Sequence, residues 1–190
     1  VYYLLLIKKP KDAFRCEEMR GYLAVILGAV ILITLNVRHL FPSLFLAVHH
    51  VLFQVASIIT TTGYATVDFN QWPEFSKCIV LLLMFIGACA GSTGGGIKVS
   101  RVLILLKSVK KELKQYLHPS AVEKIKMDGK IVEHEVVRST NVFMVAYVLI
   151  FAVSVLLISL DEYDLVTNFT AVTATFNLSL IHISEPTRRS

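Results

Sequence analysis

Three stretches of the chain are dominated by apolar positions. Gly21 to Leu35 is apolar apart from Thr34, Cys78 to Ala90 is apolar and passes directly into glycines, and Thr140 to Leu160 is mostly apolar over its whole length. The third is long enough to cross a hydrocarbon core of about 30 Å at a rise of about 1.5 Å per residue. The pattern predicts a spanning helix from Arg20 to about Val37. A second, amphipathic helix follows from Ser43 to about Ser57, with Pro42 near its start, Ser43 as N-cap and His49, His50 and Gln54 on it. It is too short to cross. A half-length helix that enters a bilayer has to turn back, and non-helical backbone at that depth survives only inside protein or along a watery path. Thr60 to Ala65 is that backbone. Asp68, Asn70 and Pro73 then return the chain to the surface, Trp72 is expected in an interfacial belt, and Glu74 to Ala90 is predicted as the descending helix.

Composition and charge sharpen this picture. The chain has 190 residues, is 55% hydrophobic and has a mean hydropathy of +0.64, far from a soluble domain. Fifteen of its 19 Lys and Arg residues lie in two clusters. One precedes the first apolar run (Lys8 to Arg20), and the other separates the second from the third (Lys98 to Arg138). Asp161-Glu-Tyr-Asp164 follows the third run. Excess Lys and Arg mark the cytoplasmic side, so the segments alternate without conflict: in to out, back in, and out again. The net charge of +5 is thereby explained by topology, and no nucleic-acid motif accompanies it. Cys16, Cys78 and Cys89 are too widely spaced for a metal motif and read as small apolar fillers. Val1 to Ile7 reads as the end of an earlier helix, so the chain is expected to be an internal fragment. Leu178 to Ser190 changes composition abruptly. It resembles a translated sequencing adapter and is set aside from the fold.

A second copy of the pattern begins at the third run. Asp164 to Phe176 is another short amphipathic segment, and aligning Val55-Ala56-Ser57 with Val172-Thr173-Ala174 sets Asn177 against Thr60. Such repetition suggests a pseudo-symmetric pore within one chain. Between the copies, Val99 to Leu117 is predicted as a basic helix stopped at His118-Pro119. Asp128-Gly129 between short alternating arms predicts a hairpin at the inner face. That hairpin is either a docking edge or a plain connector.

Two glycine-containing stretches carry the chemistry. Thr60-Thr-Thr-Gly-Tyr64 follows the C-terminus of the half-helix, where the helix dipole places a negative charge of about half an elementary unit. Successive carbonyls of an extended backbone can replace the water around an ion, as in filters with the motif TVGYG. Gly63 allows dihedrals that a Cβ resists, and the Thr hydroxyls add oxygen ligands or struts. The donors are all neutral oxygens, with no carboxylate cage for Ca²⁺ or Mg²⁺. They suit a weakly hydrated monovalent ion that must also leave. The second stretch is Gly87-Ala-Cys-Ala-Gly-Ser-Thr-Gly-Gly-Gly-Ile-Lys98. As a phosphate loop it fails, because Ile97 intervenes before Lys98 and no Ser or Thr follows. Glycines each cost about 1 kcal/mol in a helix interior. Gly91, Ser92, Thr93, Gly94, Gly95 and Gly96 therefore predict a broken membrane helix forming a gate loop; close packing through small residues is the alternative. Lys98 and Arg101 are inside anchors, or else they sense the gate or repel cations. His49 and His50 point to different helix sides and are expected to be packed or hydrogen-bonded. The spans show no catalytic constellation.

On Ser57-Ile-Ile-Thr-Thr-Thr-Gly-Tyr64, on Met84 through the glycines to Arg101, and on the hairpin linker to Val137, the chain resembles the TrkH/KtrB family of bacterial potassium transporters. The resemblance covers about 1–177. It implies an all-α membrane protein built of repeated helix–pore loop–helix units as in potassium channels, with a small cytoplasmic β-hairpin linker. The expected divisions are 1–20 (end of a preceding repeat and linker), 21–107 (a full repeat with filter and interrupted helix), 108–139 (cytoplasmic helix and hairpin), 140–177 (first half of the next repeat) and 178–190 (non-native tail). By the same resemblance Thr61, Thr62, Gly63 and Tyr64 line the filter, with K⁺ seated at Thr61, Thr62 and Gly63, and Gly91 to Gly96 form the gate. The protein is then expected in the bacterial cytoplasmic membrane as a homodimer in lipid. A cytoplasmic nucleotide-binding regulatory subunit would accompany it, with K⁺ as cargo and no cofactor. A fourth filter would begin at Asn177, but Leu178 onward departs from the family pattern. The competing expectations are a non-conducting structural or regulatory membrane subunit and, weakened by the failed motif, an enzyme using the glycine loop on a nucleotide.

Overall fold

The computed structural model of the protein describes residues 16–87, 89–90, 92, 94–118, 124–161 and 164–177. The expectations for Val1 to Ile7 and for Leu178 to Ser190 lie outside the described residues. Helix α1 (Glu17–Val37) ends in a 3₁₀ turn (Arg38–Leu40) and leads into α2 (Leu44–Ile59). A loop and a second short turn (Phe69–Gln71) precede α3 (Glu74–Phe85). Then come α4 (Val99–Leu117), a two-stranded hairpin of β1 (Lys126–Met127) and β2 (Lys130–Ile131), α5 (His134–Ile158) and α6 (Leu165–Asn177).

Helices α1 and α5 are long and apolar enough to cross a membrane. Helix α5 starts well ahead of Thr140 because its polar first turns, largely exposed from His134 to Ser139, need no apolar surroundings. Helix α2 is the expected half-helix. Ser43 caps it, its hydroxyl accepting the Leu46 N–H at 3.2 Å. Ala47, Val51, Gln54, Val55 and Ile58 are buried along one face, at the spacing of a 3.6-residue period. That face packs with Ala29, Val30, Ile33 and Val37 of α1 and Val80 and Leu83 of α3, so α2 is held against both of its neighbours in the unit. Asn36 Nδ2 donates to Ser76 Oγ at 2.9 Å, joining α1 to α3 within the unit.

Two expectations are corrected. Trp72, expected at the membrane interface, is buried to 4% exposure in this same core, because the short turn at Phe69–Gln71, closed by the Trp72 N–H donating to the Phe69 carbonyl at 3.1 Å, brings it in beside Val67 and Phe69, which pack on that core. Helix α3 stops at Phe85, short of Ala90. There the backbone turns extended and pairs in parallel with Ile97, an exchange that the helical ladder cannot share.

Helix α4 ends at Leu117 with His118 as its cap, as predicted. The hairpin pairs Lys126 with Ile131 and Met127 with Lys130. Asp128 (φ 52°) and Gly129 (φ 76°) give the doubly left-handed turn that suits a two-residue hairpin. The hairpin docks. Asp128 Oδ1 accepts the Glu17 N–H at 2.6 Å, and Cys16 Sγ lies 3.5 Å from Oδ2. Helix α1 has no cap from its own Cys16, so a residue far along the chain supplies the acceptor that its first turn lacks.

The short segment predicted from Asp164 to Phe176 is the helix α6 (Leu165–Asn177). Helices α5 and α6 pack on each other and α6 packs on α3 through aromatic rings: Phe85 lies 5.3 Å from Phe151, and Phe151 lies 5.2 Å from Phe169, both edge to face.

Candidate functional site

The loop after α2 is built by the end of the helix itself. The Thr62 N–H donates to the Ser57 carbonyl at 2.8 Å and the Thr61 N–H to the Ile58 carbonyl at 3.0 Å. This nested pair is the Schellman arrangement, which normally places glycine in the left-handed position. Here that residue is Thr61, at φ 56°, an unfavourable conformation for a β-branched side chain. The Thr60 hydroxyl donates to the Ala56 carbonyl at 2.7 Å and lies 2.8 Å from the Thr62 hydroxyl. Gly63 follows at φ 81°, which only glycine adopts without strain. Among the described residues no hydrogen bond ends on the carbonyls of Thr60, Thr61, Thr62 or Gly63. Tyr64 is largely exposed. The return limb is pinned to the helix by a 3.0 Å hydrogen bond between His50 Nδ1 and Thr66 Oγ1. His50 also stacks on Phe41 with centroids 5.4 Å apart. Beneath the loop, Thr34 Oγ1, Gln54 Oε1 and Ser57 Oγ are buried without a partner among the described residues.

The glycine stretch forms a closed loop. The Gly87 N–H donates to the Ile97 carbonyl at 2.8 Å, and the Ile97 N–H to the Phe85 carbonyl at 2.9 Å. The two ends are thereby joined. A Cβ on Gly87 would lie 2.1 Å from the Gly95 carbonyl oxygen, and one on Gly96 (φ 71°) 3.1 Å from the Phe85 oxygen. These glycines are therefore required by close backbone approach. Of the predicted gate residues, Ser92, Gly94, Gly95 and Gly96 belong to this loop; Gly91 and Thr93 lie outside the described residues. Lys98 turns back into it. Its ammonium donates to the Ser92 carbonyl at 3.0 Å, to the Ser92 hydroxyl at 3.3 Å and to the Gly94 carbonyl. Lys98 is therefore more than an anchor, while Arg101 holds the next turn by lying 3.9 Å above the Phe143 ring.

Sequence reasoning missed the support behind this loop. The Ala90 N–H donates to Glu18 Oε1 at 2.6 Å. Glu17, beside it, pairs with Lys107 of α4, and Lys107 also donates to the Lys126 carbonyl at 2.6 Å. The first turn of α1 thus touches the glycine loop, α4 and the hairpin. The available signal was the Glu17-Glu18 pair at the start of an apolar run, an ordinary first-turn preference that says nothing of distant partners. Gly87 carried a plainer signal, as the first glycine of the run.

Comparison with known proteins places this arrangement. The family profile TrkH, described as a cation transport protein, matches residues 25–179. The Trk system potassium uptake protein TrkH of Vibrio parahaemolyticus is 39% identical over 170 residues, covering 88% of this chain and 35% of that protein. The TrkH of Escherichia coli K12 is 36% identical over 178 residues, covering 93% and 37%. TrkG, a Trk system potassium uptake protein of the same strain, is 36% identical over 179 residues, with the same coverages. The crystal structure of the potassium transporter TrkH from Vibrio parahaemolyticus superposes with a TM-score of 0.83 at 36% identity, covering 90% of this chain and 37% of that one. The chain thus spans somewhat over a third of the length of these relatives. The matched stretch includes the α2 loop and the closed glycine loop, and with it the chain belongs to the TrkH family of cation transport proteins, which are transporters and not enzymes.

Proposed function

We propose that this chain supplies one pore unit, and half of another, to a potassium uptake protein of the bacterial cytoplasmic membrane. In it Thr60 to Tyr64 form one wall of the filter, with K⁺ at Thr61, Thr62 and Gly63, and Gly91 to Gly96 form the gate. Residues 21–107 are the complete unit, 140–177 the first half of the next, and 108–139 the cytoplasmic link. The observation that carries this reading is the run of four carbonyls, Thr60 to Gly63, left unengaged by described residues beyond a helix C-terminus. A partial negative charge and neutral oxygens favour a weakly hydrated cation that must also leave. The potassium uptake named for the relatives agrees with it.

Lys98 gives the gate its resting state. Its ammonium takes carbonyl and hydroxyl oxygens of the loop, the ligand type a passing K⁺ would use. While seated, it fastens the loop and repels a like charge. Opening requires Lys98 to leave these oxygens. The protein works as a homodimer with a cytoplasmic nucleotide-binding subunit acting on the same face as the hairpin.

The test is growth at low potassium of an uptake-deficient host carrying the full-length protein that contains this segment. Gly63→Ala, at φ 81°, is expected to abolish growth while the protein still reaches the membrane. Growth equal to the parent overturns the filter assignment.

A further inference from the structure

Helix α4 has two faces with no role in the pore unit. Lys107, Lys110 and Lys111 converge with Lys124 and Lys126, on the approach to the hairpin, around a cavity of about 190 Å³. Lys107 is paired with Glu17. Among the described residues Lys110, Lys111, Lys124 and Lys126 face the cavity without an acidic side chain in contact. Gathering several ammonium groups around one small space raises their mutual repulsion unless an anion sits among them. About a third of a turn away on the same helix, Leu106, Val109, Leu113 and Leu117 are all exposed, in a stripe at helical spacing. That stripe runs into a mostly apolar groove of about 400 Å³ shared with α5, lined by Leu105, Val109, Leu113, Met144 and Val145 together with Glu112. A basic face beside an apolar face is the pattern of a helix lying in a membrane interface. The excess of Lys and Arg assigns it to the cytoplasmic leaflet, the anionic one.

We propose that the lysine-lined cavity between α4 and the hairpin binds the phosphate of an anionic phospholipid headgroup from the inner leaflet, with the acyl chains along the apolar stripe of α4. Charge complementarity selects this occupant: a zwitterionic headgroup brings its own cation into a cavity already lined by five lysines. The lipid would then join α4 to the hairpin and, through Asp128 and Glu17, to the first turn of α1.

The experiment measures lipid retained by the full-length protein purified from nanodiscs of equimolar phosphatidylglycerol and phosphatidylcholine. Phosphatidylglycerol is expected to be enriched over the bulk ratio. The Lys110→Gln/Lys111→Gln/Lys124→Gln variant is expected to lose that enrichment, by about fivefold for each lysine removed. The triple Arg variant at these positions should keep it, and Lys77→Gln, at the opposite side next to Glu74, should leave it unchanged. Equal enrichment in the parent and the triple Gln variant overturns the proposal. Displacement of the lipid by millimolar inorganic phosphate overturns it in favour of a free-phosphate site. Loss of a soluble partner with lipid enrichment intact overturns it in favour of a protein dock. The readout contains no transport step, so it fails or succeeds independently of the potassium reading.

Discussion

Glu18 in the first turn of α1 accepts the backbone N–H of Ala90, inside the glycine loop, at 2.6 Å. A spanning helix and a loop 72 positions further on are thereby held together by one charge-assisted hydrogen bond. Removing the acceptor, Glu18→Ala, leaves that N–H without its partner and weakens the closed loop by about 1–3 kcal/mol. Resting rubidium uptake by the full-length protein should rise roughly tenfold, and Glu18→Gln, which keeps an acceptor oxygen, should stay near the parent. Parental uptake in Glu18→Ala would show that the contact does not restrain the loop.

Lys98→Met removes three hydrogen bonds from the same loop while preserving most of the stem. Bonds from a charged donor contribute about 1.5–3 kcal/mol each, so the closed state should lose most of its advantage. Uptake should become high and largely independent of regulatory nucleotide, with Lys98→Arg intermediate. If Lys98→Met lowers uptake instead, the ammonium assists conduction and does not oppose it.

Gly87 and Gly28 make a matched pair. Alanine at 87 puts a methyl 2.1 Å from the Gly95 oxygen, whereas alanine at 28 meets nothing within 4 Å. Gly87→Ala should destroy regulated uptake and lower the melting temperature of the purified protein. Gly28→Ala should be neutral or stabilising by up to about 1 kcal/mol. Equal melting curves would mean that the loop end does not close as described.

Thr61→Gly relieves a left-handed β-branched residue, an arrangement costing about 1–2 kcal/mol. Thermal stability should therefore increase, or at least hold against the added backbone freedom of the unfolded chain. Potassium over sodium selectivity, measured by competition in rubidium uptake, should fall as the hydroxyl is lost. Unchanged selectivity would remove the Thr61 side chain from the site.

The hairpin cap offers a structural check. Asp128→Ala deletes the acceptor for the Glu17 N–H, which at helix N-termini costs about 1 kcal/mol; Asp128→Asn retains it. Hydrogen exchange at the first turn of α1 should speed up in the Ala variant alone.

Much of the fold was legible because lipid imposes strong patterns. Ser43 capped where expected, Asp128-Gly129 turned where expected, and α4 stopped at Leu117. Three features were not legible, each for a stated cause. Trp72 was placed by composition, but its burial depends on how the return loop folds. Hydropathy carries α3 on to Ala90 and cannot register the backbone hydrogen bonds that Ile97 makes with Phe85 and Gly87. Glu18 and Asp128 act on residues far along the chain, and periodicity carries no information about such pairs.

The nested hydrogen bonds at Thr61 and Thr62 make the tip an extension of α2 and not a separate flap. Its shape is templated by the last turn of a helix packed against α1 and α3. If the tip is the proposed filter, an empty seat and a filled one should differ little, and successive ions would need no folding step between them.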